Sequence, residues 1–291
     1  MTENNKISDY ITFPKTFENY KWYKPILVFI VALIMFLVFS LVVALVFYLA
    51  FGKDFFMSLA SGGYEVLNTV WGQIFTDLGV IIIIPSLYIA SKIVKDRPFS
   101  SYSSSRGGWN FKLYLKALII PLVLLVIAQT LDFFISGPKG TNHFSVLFLI
   151  ITLIMVPLQC IAEEYAFRGL FMQSLGSWFN IPILAIVIQA IFFTVVHGYN
   201  SFGLVEIFIS GIFFGILAWK TNGIEVSSAL HTANNLAIAL FVMFGIQSTT
   251  SSIQLNELAI STVVQIAIFL ILYYAGMKTN WFGEIEETVE N

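Results

Sequence analysis

Residues 144–169 read FSVLFLIITLIMVPLQCIAEEYAFRG: an apolar run from Phe144 that ends on two adjacent glutamates, Glu163 and Glu164, and on Arg168. About 20 apolar residues suffice to cross the hydrocarbon core of a bilayer, so the run reads as a membrane helix. Ionised groups at that depth cost roughly 3 kcal/mol or more each, so they pair, or face a polar cavity, and they mark function. In a helix, Glu164 and Arg168 are four residues apart and share a face, where they can pair. Glu163 is rotated by about 100° from Glu164 and is left for another task. The competing reading is a structural knot of charges that pins two helices together.

Outward from this stretch the composition agrees with a membrane protein. Of 291 residues, 58% are hydrophobic, 16% aromatic and 11% charged, far more apolar than a soluble domain. The expected fold is therefore all-α: a polytopic membrane bundle of about eight transmembrane helices. Apolar windows fall near Pro25–Phe51, Val70–Ile93, Leu113–Ile135, Phe144–Ser174, Pro182–Val196, Phe202–Trp219, Ile224–Phe244 and Leu258–Gly276. The first run is too long for a signal-peptide core and is expected to remain as an anchor. This divides the chain into an N-terminal segment 1–24, a bundle 25–276 and an acidic tail 277–291. Glu284–Glu290 reads as a solvated face and the Ser-rich Phe99–Ser105 as a loop.

The basic residues orient the bundle. With the N-terminus inside, Lys6, Lys15, Lys21, Lys24, Lys92, Lys95, Arg97, Arg106, Lys112, Lys116, Lys220 and Lys278 lie on the cytoplasmic side, and only Lys53 and Lys139 outside. That bias predicts an integral membrane protein with both termini cytoplasmic. The net charge of -2 and the lack of a dense basic cluster argue against a nucleic-acid partner. The single Cys160 excludes an intrachain disulfide and a cysteine zinc site.

Two histidines sit in apolar surroundings, His197 in FFTVVHGYN and His231 in SSALHTANN. His231 and Asn235 share a helix face, as do Phe193 and His197, which sets an aromatic ring under the second imidazole. A turn near Trp178–Pro182 makes a hairpin in which Glu163 and His197, each about 16 residues from the turn, reach one depth. His231 and Asn235 match that depth less well. Gly211 and Gly215 read as a close helix contact. Asp77, Asp132, Glu206 and Glu225 lie near span ends, where water reaches them, and stay outside the expected site; Asp77 is the best placed of them to face the interior.

These residue types suit hydrolysis of a carbonyl compound. A carboxylate can take a proton from water with an imidazole assisting, and a second imidazole and an amide can donate to the developing oxyanion. The same groups, Glu163, His197 and His231, could hold a divalent metal such as zinc, although the chain has no HExxH. Cys160 as a thiol nucleophile is disfavoured beside two carboxylates, which keep a thiol protonated.

Taken together and in order, Glu163-Glu164-x-x-x-Arg168, Phe193-x-x-x-His197 and His231-x-x-x-Asn235 resemble the intramembrane CAAX-processing and bacteriocin-processing endopeptidases, the CPBP or Abi family, over roughly Phe144–Phe244. The resemblance implies a protease acting on a membrane-associated, possibly lipidated, peptide or protein, in a bacterial cell membrane. It implies that Glu163 activates water with His197 assisting, that His231 and Asn235 stabilise the oxyanion, and that Glu164 and Arg168 fix the helices. It leaves open whether the cofactor is none or a zinc-like metal, and it suggests entry of substrate from the cytoplasm. Two rival classes are a non-catalytic immunity or regulatory protein that binds a peptide or partner through the same cavity, and a transporter whose buried charges form an ion path.

Overall fold

The computed structural model describes residues 9–61, 66, 68–248 and 252–280, so Glu284–Glu290 lies outside the described residues. The regular elements among those residues are all helical, and their one β-type contact is an isolated bridge between Ser104 and Gly223. The helices are α1 (Lys24–Ser61), α2 (Val70–Ile81), α3 (Ile83–Val94), α4 (Ser100–Ser103), α5 (Phe111–Ser136), α6 (Val146–Glu164), α7 (Gln173–Phe179), α8 (Pro182–Val195), α9 (Ser201–Lys220), α10 (Glu225–Met243) and α11 (Leu255–Lys278). A π-helical segment, Tyr165–Met172, joins α6 to α7.

Among the described residues, seven stretches are long and apolar enough to cross a membrane, and the chain is an integral membrane protein. The eighth expected span is α8, an apolar helix of 14 residues, which at 1.5 Å per residue is about 21 Å long and shorter than the hydrocarbon core. Its neighbour compensates in the other direction: α6, the π-helical segment and α7 run on as one stretch of 34 residues, Val146–Phe179. The second expected span is broken at Ile82 between α2 and α3. Pro85 explains the break, because it offers no N–H to the carbonyl one turn earlier. Side chains outside the bundle are apolar, as lipid requires: Leu41, Leu49 and Ile135 are 71%, 75% and 84% exposed.

Contacts between loops define two ends of the bundle. At one end Gly140 N–H donates to the Gly245 carbonyl (3.1 Å), His143 N–H to Met243 (2.9 Å), and the Asn200 amide to Ile253 (2.8 Å). At the other, Ser105 N–H donates to Asn222 (3.1 Å), Lys24 Nζ to Lys95 (3.1 Å) and Trp178 Nε1 to Trp22 (2.7 Å). Phe99–Ser105, expected as a loop, is instead partly helical and buried at this second end, where the Tyr102 carbonyl rides over Gly169. A Cβ on Gly169 would lie 2.6 Å from that oxygen, so only glycine allows the approach.

Of two minor expectations, one changes and one holds. Glu225 is not reached by water: it is 0% exposed, paired with Arg106 at 2.9 Å and bonded by the Asn110 N–H, because the α4–α5 connection folds over the start of α10. Gly211 and Gly215 do form a close contact, α9 against Ala190, Gln189 and Ile186 of α8.

Candidate active site

Glu163 and Glu164 end α6, near the middle of the 34-residue stretch, and the π-helical segment begins one residue later. Such segments widen the helix by a residue and recur at functional sites. Here the segment carries Arg168, whose guanidinium is wholly buried and donates to Glu164 Oε1 at 2.8 Å, the i, i+4 pair expected from the spacing. The same guanidinium donates to the Gly211 carbonyl at 3.3 Å and lies over the rings of Phe193 (4.4 Å) and Phe214 (5.1 Å). Two carbonyl and carboxyl acceptors and two aromatic faces thus compensate a charge that burial alone would penalise heavily.

The histidine that reaches the glutamates is His231 on α10. Its Nδ1 donates to Glu164 Oε1 at 3.1 Å. An ionised carboxylate accepts only, so this bond places the proton on Nδ1 and leaves Nε2 facing inward. His231 Nε2 lies 3.6 Å from Glu163 Oε2 and accepts from Asn235 Nδ2 at 3.4 Å. Phe214 stacks on the imidazole at 4.8 Å and Phe193 meets it edge-on at 5.8 Å, which fixes its plane. The sequence matched His231 and Asn235 less well in depth than His197. The structure reverses that, because α6 and α10 pack directly on one another.

His197 lies two residues beyond the end of α8. Its Nδ1 bonds the Phe193 carbonyl at 2.6 Å, and its ring meets the Phe193 ring at 4.7 Å, the aromatic support expected from the spacing. Phe193 therefore stands between the two histidines. Among the described residues, His197 forms no ion pair with Glu163, and no group of three His, Cys, Asp or Glu side chains, the Glu163–Glu164–His231 cluster included, has an arrangement that could hold a metal ion.

One site residue went unread in the sequence. Gln159, one turn before Glu163, donates from Nε2 to Glu163 Oε1, and its Oε1 accepts from Asn235 Nδ2 at 3.5 Å. The available signal was a lone amide in an apolar run at i−4 from the glutamate. With Gln159 the side chains close a circuit: Arg168 to Glu164, Glu164 to His231, His231 to Asn235, Asn235 to Gln159, Gln159 to Glu163. The second oxygen of Glu163 is buried and has no hydrogen-bond partner among the described residues. Glu164 Oε2 shares that condition, but Glu164 has an arginine on its other oxygen and Glu163 has none.

A cavity of about 270 Å³ adjoins this circuit. Gln159 and Asn235 line its inner part; Asp77, Thr76, Tyr199 and Ser248 line it toward the first end of the bundle. Asp77, the outlying carboxylate best placed by sequence, does face the interior.

A family model described as type II CAAX prenyl endopeptidase Rce1-like matches residues 144–237, which contain all three motifs. The uncharacterized protein YyaK of Bacillus subtilis (strain 168) is 29% identical over 172 residues, 55% of this chain. The chain spans 57% of the length of that relative. No solved structure matches. Over residues 144–237, about a third of its length, this integral membrane protein is similar to the Rce1-like CAAX prenyl endopeptidases.

Proposed function

We propose that the protein is an intramembrane endopeptidase that hydrolyses a peptide bond of a membrane-associated peptide or protein with a water activated by Glu163. The observation that carries this reading is the unpartnered, buried Oε2 of Glu163, 3.6 Å from His231 Nε2 and held in place through Oε1 by Gln159. A buried acceptor without a donor costs roughly 1–3 kcal/mol, and a site that tolerates this cost has a use for the atom. A structural knot would have put a cation on it, as Arg168 is put on Glu164.

In this mechanism Glu163 takes a proton from water as the oxygen adds to the scissile carbonyl carbon. The Asn235 amide turns one N–H from His231 Nε2 to the oxyanion that develops, and His231, oriented by Glu164, then accepts on its freed Nε2 from the attacking water beside the carboxylate. The carbon–nitrogen bond then breaks, the proton returns from Glu163 to the leaving amine, and an acid and an amine are released. Glu164 and Arg168 act on the reaction only by positioning His231. Phe193 separates His231 from His197, which supports the site from α8.

The test is cleavage of lipidated and unlipidated peptide libraries by detergent-purified protein and its Glu163→Gln variant, with bound metal quantified in both samples. Cleavage by the wild type alone supports the role of Glu163. Equal cleavage by both refutes it, and no cleavage by either, with both complementing a deletion strain, points to a binding protein.

A further inference from the structure

The end of the bundle that carries residues 95–110 and 220–223 is closed by the N-terminal segment. Gln173 donates to the Tyr10 carbonyl at 3.0 Å, Tyr10 Oη to the Tyr102 carbonyl at 2.7 Å, and Trp219 Nε1 to Asp9 Oδ2 at 2.9 Å. Ile11 is wholly buried and sits on Gly176, where a Cβ would lie 2.0 Å from its side chain. These contacts make a seal of the segment before α1, with Tyr10, Tyr102 and Gln173 buried at its centre.

Beside the seal lies a pocket of about 460 Å³ that shares no lining residue with the cavity next to the glutamates. Glu18 and Asn19 make one wall; Ser91, Lys92, Lys95 and Arg97, from the end of α3 and the turn after it, make the other. Pockets of this size hold small ligands. Arg97 is buried and anchored: it donates to the Gly169 carbonyl at 3.0 Å and to Gln173 Oε1, and lies over the Tyr102 ring at 3.8 Å. Asp96, also on the lining, is engaged by Arg97 at 3.4 Å and by the Tyr102 hydroxyl at 2.9 Å. Lys92 and Lys95 are exposed, and among the described residues neither pairs with a carboxylate.

Lysines in a last helical turn offset the negative end of the helix. Here Lys24 Nζ already serves that end, donating to the Lys95 carbonyl at 3.1 Å. Lys95 itself closes α3 in the left-handed conformation, φ 53°, where glycine or asparagine is usual. The start of α1 at Lys24 has no acidic side chain in its first turn, so the positive end of a second helix lies uncompensated at the same place. Lysines, an anchored arginine and a helix start together favour an anion. The setting adds the rest of the ligand. Trp22 and Tyr23 are exposed at this level, as aromatic residues are at a membrane interface. Leu27 and Ile30 of α1 and Ile93 of α3 are exposed and apolar, and the two helices pack on one another.

We propose that this pocket binds the headgroup of an anionic phospholipid, with Lys92 and Lys95 meeting the phosphate and the acyl chains lying along α1 and α3. Because Glu18 and Asn19 form the facing wall, the bound headgroup clamps the N-terminal segment against the end of α3 and strengthens the seal. Glu18 is the one carboxylate of the lining without a described cation, and it points the preference toward headgroups that carry a hydroxyl as well as the phosphate.

The test titrates the full chain, purified in detergent, with a fluorescent phosphatidylglycerol and, as the neutral probe, a phosphatidylcholine with the same acyl chains. The wild type is expected to bind the anionic probe about tenfold more tightly or better, since each basic side chain near an anionic lipid surface contributes about fivefold. Lys92→Gln combined with Lys95→Gln should abolish that preference. Lys112→Gln combined with Lys278→Gln, an equal loss of charge on exposed positions elsewhere, should keep it. No preference in the wild type, or equal loss in both double variants, overturns the pocket. Inorganic phosphate that displaces the probe at the probe's own concentration overturns a lipid ligand in favour of a free anion. A second measurement reads the clamp. Tryptic cleavage at Lys15 and Lys21 of the wild type should slow several-fold with phosphatidylglycerol and not with phosphatidylcholine, because a ligand that binds only the closed segment stabilises it. Cleavage indifferent to the lipid overturns the clamp.

Discussion

Replacing Arg168 by methionine tests whether the charged circuit is built as described. The substitution keeps side-chain length and removes three things: the 2.8 Å bond to Glu164, the 3.3 Å bond to the Gly211 carbonyl and the stacking on Phe193 and Phe214. Glu164 is then a wholly buried carboxylate whose remaining partner is His231 Nδ1. Breaking a buried pair by removing one partner costs about 3–5 kcal/mol, chiefly because a charge is left uncompensated. Gly211 is cushioned, since Gln189 Nε2 also donates to its carbonyl at 2.8 Å. Adding Glu164→Gln to the same chain removes the stranded charge and keeps an acceptor for His231. The double variant is therefore expected to recover about 1–3 kcal/mol relative to Arg168→Met alone. Thermal unfolding of the purified protein in one detergent, followed by intrinsic fluorescence, gives the comparison; the single variant should fall on the order of 10 °C. If the double variant is destabilised by the sum of the two single losses, the pair does not interact as an ion pair and the circuit is wrong.

Gln159→Leu removes both the donor to Glu163 and the acceptor for Asn235; turnover of a cleaved peptide should fall by about 10–100-fold with KM nearly unchanged, as expected for a loss of about 1.5–3 kcal/mol felt in the transition state. A fall in KM-related binding alone would contradict a positioning role. Gly176→Val drives a side chain into Ile11 and should release the N-terminal segment, read as faster tryptic cleavage at Lys15 and Lys21 with the bundle still folded. Burial raises the hydroxyls of Tyr10 and Tyr102 above their ordinary value of 10.0. Because the folded form holds those protons more tightly, the seal is at full strength below that value and weakens as pH rises through the folded pKa values. Trp22 fluorescence should therefore change above about pH 10 in the wild type and earlier in Gly176→Val, whereas a seal insensitive to alkali would sink the assignment.

How the site could be read from sequence follows from which interactions are local. Glu164 and Arg168, Phe193 and His197, and His231 and Asn235 are each one helical turn apart, so geometry within a single helix brings each pair together whatever the bundle does. The all-helical membrane fold was equally legible, because lipid forces every backbone polar group to be satisfied within its own segment. What no local rule supplied was the pairing between helices. Tertiary packing chose His231 over His197 as the partner of the glutamates by laying α10 on α6, and it recruited Gln159 from what reads in sequence as an apolar run. It also buried Glu225 by folding the α4–α5 connection over a helix start, where sequence position suggested water. The seal around Tyr10, Tyr102 and Gln173 joins residues 92 and 163 positions apart. Periodicity sees one helix at a time, so it dictated which side chains share a face; only the packed bundle decided which faces meet, and with them which partners the two carboxylates find beyond their own helix.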